Sequence, residues 1–212
     1  MRIKHPRIHH LPWSEDRDED DLSLDDLGIF KNQEVVVTLK LDGENSSLYT
    51  DYIHARSLDS VSHPSQSWVR QLQSQIGYNI PKDWRICGEN VYAKHSIYYK
   101  NLSTYFYVHS IWNDKNECIS WDDTLTWAKL LELETVPLLY RGIFDVGKIK
   151  SLFAKLEGEN EGYVIRLAKS FSYNDFTKCV GKYRRANHVT SSTHWKHEKI
   201  INNKLKIDSS GS

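Results

Sequence analysis

The alternating apolar residues Val35, Val37 and Leu39 lead to Lys40, and the chain turns directly afterwards at Asp42-Gly43. Alternation of this kind predicts a strand with one buried face, and Asp-Gly predicts a tight turn. A lysine delivered to the end of a strand just ahead of a turn can point into a cleft instead of into water. Further segments follow in a fixed order: Ala55-Arg56-Ser57, Ile86-Cys87-Gly88-Glu89-Asn90, Tyr105-Phe106-Tyr107-Val108-His109, Glu161-Gly162-Tyr163-Val164-Ile165-Arg166, and Val180-Gly181-Lys182-Tyr183-Arg184. Each sets charged, aromatic or imidazole groups in or beside an apolar run.

Strands are expected at 34–41, 46–50, 52–56, 84–90, 104–112, 136–140, 162–167 and 178–184, from β-branched and aromatic alternation. Helices are expected at 65–76, where Trp68, Leu72 and Ile76 recur every fourth residue, and at 121–134, entered by Ser120 with Asp123 three residues on. A third is expected at 145–156, with Ile149, Leu152, Phe153 and Leu156 on one face, and a basic helix at Thr193 to Lys206. Short strands punctuated by a few helices imply an α+β domain of antiparallel sheets flanked by helices.

A chain of 212 residues forms one large domain, with or without a short appendage. Hydrophobic content of 39%, with seven Trp and twelve Tyr, supports a real core. No apolar run approaches the ~20 residues of a membrane span, and the first residues lack a signal peptide's apolar stretch. Cys87, Cys118 and Cys179 are odd in number and far apart, which fits a reducing compartment; a cytoplasmic protein is expected. Net charge is zero, whereas a broad phosphate footprint normally shows as a basic excess. The charge is segregated, however. Residues 14–26 hold eight acids and one base, and residues 182–206 hold seven Lys/Arg and one acid. The basic end either lines a nucleic-acid track or, like the acidic run, is a solvated surface segment.

Lys40 suits a nucleophile only if it loses its proton, which desolvation or nearby positive charge promotes. Lys182, Arg184 and a divalent cation are the expected sources of that charge. Lys182 and Arg184 flank Tyr183 on one strand, so their side chains share a face that can meet a phosphate. Glu89 and Glu161, at strand ends, suit a hard cation such as Mg²⁺. Lys94, just past Glu89, is a candidate phosphate contact. Asn45 is either a functional amide or a turn residue. The pair His194-x-x-His197 lacks the further ligands a zinc site needs, so packing or nucleic-acid contact is the better reading of that region.

In their order and spacing, these segments resemble the covalent nucleotidyltransferase superfamily of ATP-dependent ligases and capping enzymes. The resemblance spans residues 34 to 187 and is strongest to RNA ligases of the RNA ligase 2 type. It implies a nucleotidyltransferase (ATP-grasp-like ligase) domain over residues 1–187, followed by a basic segment, 188–212, too short for an OB-fold domain. It implies that Lys40 takes AMP from ATP with Mg²⁺ or Mn²⁺, passes it to a 5′-phosphate, and lets a 3′-hydroxyl expel it. Arg56, with Ser57, would meet a phosphate; Glu89 would read ribose hydroxyls and share metal binding; Glu161 would hold the metal; Lys182 and Arg184 would face the α-phosphate. Asn45 would serve the nucleic-acid end. His109 stands where the family stacks an aromatic ring on adenine, and an imidazole offers less area, so Phe106 or Tyr107 would share the task. The expected partner is RNA, as a nicked duplex or single-stranded ends, and the expected state is a monomer. The rival readings are a capping guanylyltransferase and a catalytically silent nucleic-acid-binding relative.

Overall fold

The computed structural model describes residues 1–17, 20–59, 63–154, 160–186 and 200–206. Its strands begin with β1 (His9–His10), β2 (Glu34–Lys40), β3 (Glu44–Leu48), β4 (Ile53–Ala55), β5 (Arg85–Asn90) and β6 (Phe106–Trp112). They continue with β7 (Glu117–Cys118), β8 (Glu134–Thr135), β9 (Leu138–Ile143), β10 (Gly162–Leu167), β11 (Phe171–Ser172) and β12 (Val180–Arg184). The helices are α1 (Ser67–Ile76), α2 (Trp121–Leu130), α3 (Val146–Ala154) and the single turn α4 (Phe176–Cys179). One sheet has the order β1-β12-β10-β2-β9; the other runs β11-β7-β6-β5-β3-β4, with β8 also on β6. Pairing is antiparallel except for β1 on β12 and β8 on β6. The fold is therefore α+β and mostly antiparallel, as expected.

Strand β2 lies between β10 and β9, and both its faces are covered. Val35 and Val37 pack into one cluster with Phe30, Ile149, Phe153 and Ile165, while Val36 faces a second with Val91, Tyr107 and Trp121. By alternation Thr38 and Lys40 share the face of Val36. The turn Leu41-Asp42-Gly43 then carries the chain from the first sheet into β3 of the second. A Cβ at Gly43 would lie 2.5 Å from the Asn90 carbonyl oxygen, so only glycine lets the crossing pass this close to β5. Asp42 secures the turn. Its carboxylate accepts the Ser96 and Ile97 N–H groups at 2.7 and 2.8 Å, and its own N–H donates to the Tyr99 hydroxyl at 2.9 Å.

Arg166 ties the sheets together from β10. Its buried guanidinium donates to the carbonyls of Ile119 at 2.8 Å, Leu167 at 3.2 Å and His109 at 3.3 Å.

The expected elements need several corrections. The first helix is preceded by a 3-10 turn at Pro64–Gln66, and α2 stops at Leu130 because the chain turns there into β8. Ser120 caps α2 as its spacing implied, accepting the Asp123 N–H at 3.1 Å. The last strand begins at Val180, since Phe176–Cys179 is a helical turn. Of the basic helix expected at 193–206, residues 193–199 lie outside the described residues, and 200–206 are extended.

Asn203 explains that extension. Its N–H donates to the Tyr92 carbonyl at 3.0 Å, its amide Nδ2 donates to the Val91 carbonyl at 2.8 Å, and its Oδ1 accepts the Tyr99 N–H at 2.9 Å. Backbone groups that would close a helix are used instead to bridge Asn202 to Ala93 and Leu205 to Leu102. Among the described residues no helix is long and apolar enough to cross a membrane.

Removing a partner of a buried polar group costs about 1–3 kcal/mol. Asn203 is 2% exposed, so Asn203→Ala is expected to lower stability by roughly 3 kcal/mol in urea denaturation. Asn202→Ala, at an exposed neighbour, should change it by less than about 0.5 kcal/mol.

Candidate active site

A cleft of about 590 Å³ opens between the sheets. This is within the usual range for small-molecule sites. Register explains what faces it. Gly162 on β10 stands opposite both Lys40 on β2 and Arg184 on β12, and Val164 stands opposite both Thr38 and Lys182. Two rows therefore cross three strands and bring Lys40, Lys182 and Arg184 to one face. Gly162 has φ +156, and a Cβ there would sit 1.9 Å from the Tyr183 carbonyl oxygen, so the close row requires glycine.

Lys40, Asn45, Arg56, Ser57, Glu89, His109, Lys182 and Arg184 all line this cleft. Glu161 lies just behind the lining, 6% exposed, and reaches it through an ion pair with Lys40 Nζ and a 3.5 Å approach to Arg184 Nε. Lys94 is not in the cleft. It borders a separate surface depression with Ser96, Tyr98 and Lys100. The expected aromatic substitutes for His109 are not there either. Phe106 is buried in the core beside Ile86 and Val108, and Tyr107 packs with Val36 and Trp121, where its hydroxyl accepts the Ser103 N–H at 3.1 Å. His109 itself bonds Asn45 Nδ2 at 2.8 Å and Ser110 Oγ at 3.0 Å, and His5 meets its ring edge-on at 5.1 Å.

The N-terminal segment supplies groups that sequence reading left out of the site. Asp16 pairs with Arg184 at 2.9 Å, and Asp21 with Lys182 at 3.6 Å. Asp21 also lies 2.8 Å from His10 Nε2, while His10 Nδ1 lies 2.7 Å from Ser14 Oγ, which accepts the Arg184 N–H at 2.9 Å. One assignment satisfies the whole relay: Arg184 N–H to Ser14, Ser14 O–H to His10 Nδ1, His10 Nε2–H to Asp21, and Lys182 to Asp21. It needs a neutral imidazole. Burial, aided by Lys182, brings the His10 pKa down to about 4, which keeps the ring neutral. The signal was present in the eight acids of residues 14–26, whose partners were invisible because β1 is too short to show alternation.

The RNA ligase family profile matches residues 33–184. The chain belongs to the RNA ligase family. Among solved structures, the RNA ligase fold here is similar to an archaeal ATP-dependent RNA ligase, with 15% identity and a TM-score of 0.60 over 87% of this chain and 49% of that one. A candidate ATP-dependent DNA ligase from Aquifex aeolicus shares 18% identity at a TM-score of 0.58, covering 87% of this chain and 50% of that one. An RNA ligase from Naegleria gruberi with pyrophosphate shares 22% at 0.52, covering 74% and 51%. The chain thus spans about half the length of these structures. No curated protein matches it in sequence.

Lys40 of this RNA ligase family site has the expected Lys182 and Arg184 on its cleft, and carboxylates beside them as well. Burial does pull its pKa down, but Glu161, Glu89 and Asp42 outweigh that and hold it above the ordinary lysine value. Lys182 moves the other way, lowered by burial and by Lys40 and Arg184 against the pull of Asp21. Burial, with Glu161 and Asp42 nearby, pushes Glu89 up to about 8.

Among the described residues no three His, Cys, Asp or Glu side chains group to hold a metal. Two carboxylates still fit Mg²⁺ or Mn²⁺ arriving with a nucleotide, since Mg²⁺ commonly binds through one or two carboxylates, substrate phosphates and water.

If Lys40 serves as a nucleophile and Glu89 as an anionic ligand, each must first lose a proton. Their raised pKa values place both losses at alkaline pH. The rate of covalent nucleotide transfer to Lys40 at limiting metal is therefore expected to climb from about pH 7 to about pH 9, and Glu89→Gln should remove the inflection near 8. Initial rates across that range check this; a profile already flat at pH 7 contradicts it.

Proposed function

We propose that the chain is an ATP-dependent RNA ligase that joins a 5′-phosphate to a 3′-hydroxyl through a lysyl-AMP intermediate and an adenylylated 5′ end. The supporting observation is convergence: residues from separate sequence segments, Lys40, Arg56, Glu89, His109, Lys182 and Arg184, line one cleft. In this reading residues 1–187 carry nucleotidyl transfer, residues 200–206 of the basic segment 188–212 pack back onto the loop 91–105, and the enzyme acts as a cytoplasmic monomer.

Lys40 Nζ attacks the α-phosphorus of ATP. An N–P bond forms, the bond to the β-phosphate breaks, and pyrophosphate leaves. Lys40 must first leave its ion-pair partner Glu161. Lys182 and Arg184 face the developing phosphate charge from β12, preorganised by the relay behind them. Arg56, exposed at the cleft, suits a phosphate of the nucleotide or the RNA end. His109 flanks the nucleobase, and Asn45 serves the nucleic-acid end. A divalent cation held by Glu161 and Glu89 would neutralise phosphate charge and orient the departing pyrophosphate. Structures of the Naegleria gruberi enzyme with ATP and Mn, and with AMP and Mn, support the choice of nucleotide and metal for this reading.

Incubation with labelled ATP or GTP and intact-mass measurement tests it. ATP should give an adduct and GTP little, EDTA should abolish it, and Lys40→Ala should leave none. Lys182→Ala should slow the transfer by roughly 10²–10³-fold, the usual effect of losing one charge-stabilising donor. Preferential labelling by GTP would move the chain to the capping class, and an adduct on Lys40→Ala would refute the nucleophile.

A further inference from the structure

A second concentration of charge lies beside the cleft. Residues 91–105 and 200–206 contain Lys94, Lys100, Lys204 and Lys206 and no aspartate or glutamate. With 28 basic and 28 acidic residues in the chain, this is a local excess. None of the four has an acidic partner among the described residues. Lys100, Lys204 and Lys206 are exposed.

Backbone bonds lay the two segments side by side. Lys94 N–H donates to the Ile201 carbonyl at 2.7 Å, Lys204 N–H to Tyr99 at 2.9 Å, Leu102 N–H to Lys204 at 3.0 Å, and Lys206 N–H to Leu102 at 2.7 Å. Lys204 and Lys206 are two apart on an extended stretch, so their side chains share a face with Cα atoms roughly 7 Å apart. Successive backbone phosphates follow each other on a similar scale. Tyr98 adds a ring beside the cations, 5.9 Å from Lys100 Nζ. The surface is also continuous with the site. His95 lines the cleft, and Ser96 and Ile97 hang from the carboxylate of Asp42, two residues beyond Lys40.

We propose that residues 91–105 and 200–206 form one phosphate-tracking surface that holds the backbone of an RNA strand leading into the cleft, a role that rests on the ligase reading above. The chemistry favours RNA over an acidic protein because lysines with no acidic partner among the described residues and a tyrosine ring border the nucleotide cleft. Asn203 is a positioning residue here: it locks the returning segment to the loop and so sets the lysine spacing.

The test compares full-length protein with a Lys204→Ala/Lys206→Ala variant by fluorescence anisotropy on a labelled nicked RNA duplex, over a series of salt concentrations. Each phosphate contact contributes about 0.7–0.9 to the slope of log affinity against log salt, so the slope should shrink by about 1.4–1.8 and affinity should fall about tenfold or more. Lys204→Arg/Lys206→Arg should keep both. Covalent labelling by ATP, run on the same preparations, should be unchanged in the alanine variant, which also verifies its fold. RNA affinity and salt slope equal to the parent would overturn the proposal, including the case in which an acidic protein binds there instead. Absence of ATP labelling in the parent would instead overturn the ligase reading, and the RNA titration would still decide the surface.

Discussion

Arg166 holds apart, and holds together, the two sheets whose separation is the cleft. Its guanidinium reaches from β10 of the first sheet to His109 on β6 and to Ile119 beside it. Hydrogen bonds to a charged group contribute about 1.5–3 kcal/mol each, while burying the charge costs several kcal/mol. The sum is near balance, so the contribution of Arg166 is geometric more than energetic. It fixes how far His109 stands from the rows that carry Lys40 and Lys182.

From that frame the site follows by register. Gly162 lets β10 sit tightly enough for Lys40 and Arg184 to share a row, and its neighbour Glu161 then falls between them. The turn at Asp42-Gly43 serves twice: it passes the chain to the second sheet, and it suspends the loop that carries Lys94 and Lys100. The proposed nucleotide chemistry and strand guidance would thus depend on one short segment.

Much of this was legible in sequence because the residues concerned are local. Lys40 at a strand end, the shared face of Lys182 and Arg184, and the capping by Ser120 each need only a few neighbouring residues to be read. What escaped depends on distant pairing. The two-residue strand His9–His10 carries no periodic signal, yet its parallel pairing with β12 places Asp16 and Asp21 on the site's cations. The basic residues 200–206 read as a helix because Asn203's partners lie about a hundred positions away. The carboxylate beside Lys40 was not legible because Glu161 lies 121 positions away in sequence, just before β10.

The same carboxylates give the cleft a distinctive ion-exchange character. Lys40, Lys182 and Arg184 all have internal counter-ions in Glu161, Asp21 and Asp16. In the proposed function a phosphate ligand would share these cations with the protein's own anions, which would weaken the dependence of nucleotide affinity on bulk salt. A lone inorganic phosphate would compete with one of these carboxylates, whereas a triphosphate would reach several of the cations together. Selectivity for a polyphosphate over abundant small anions would then arise from competition with the protein's own carboxylates, before any base or sugar is read.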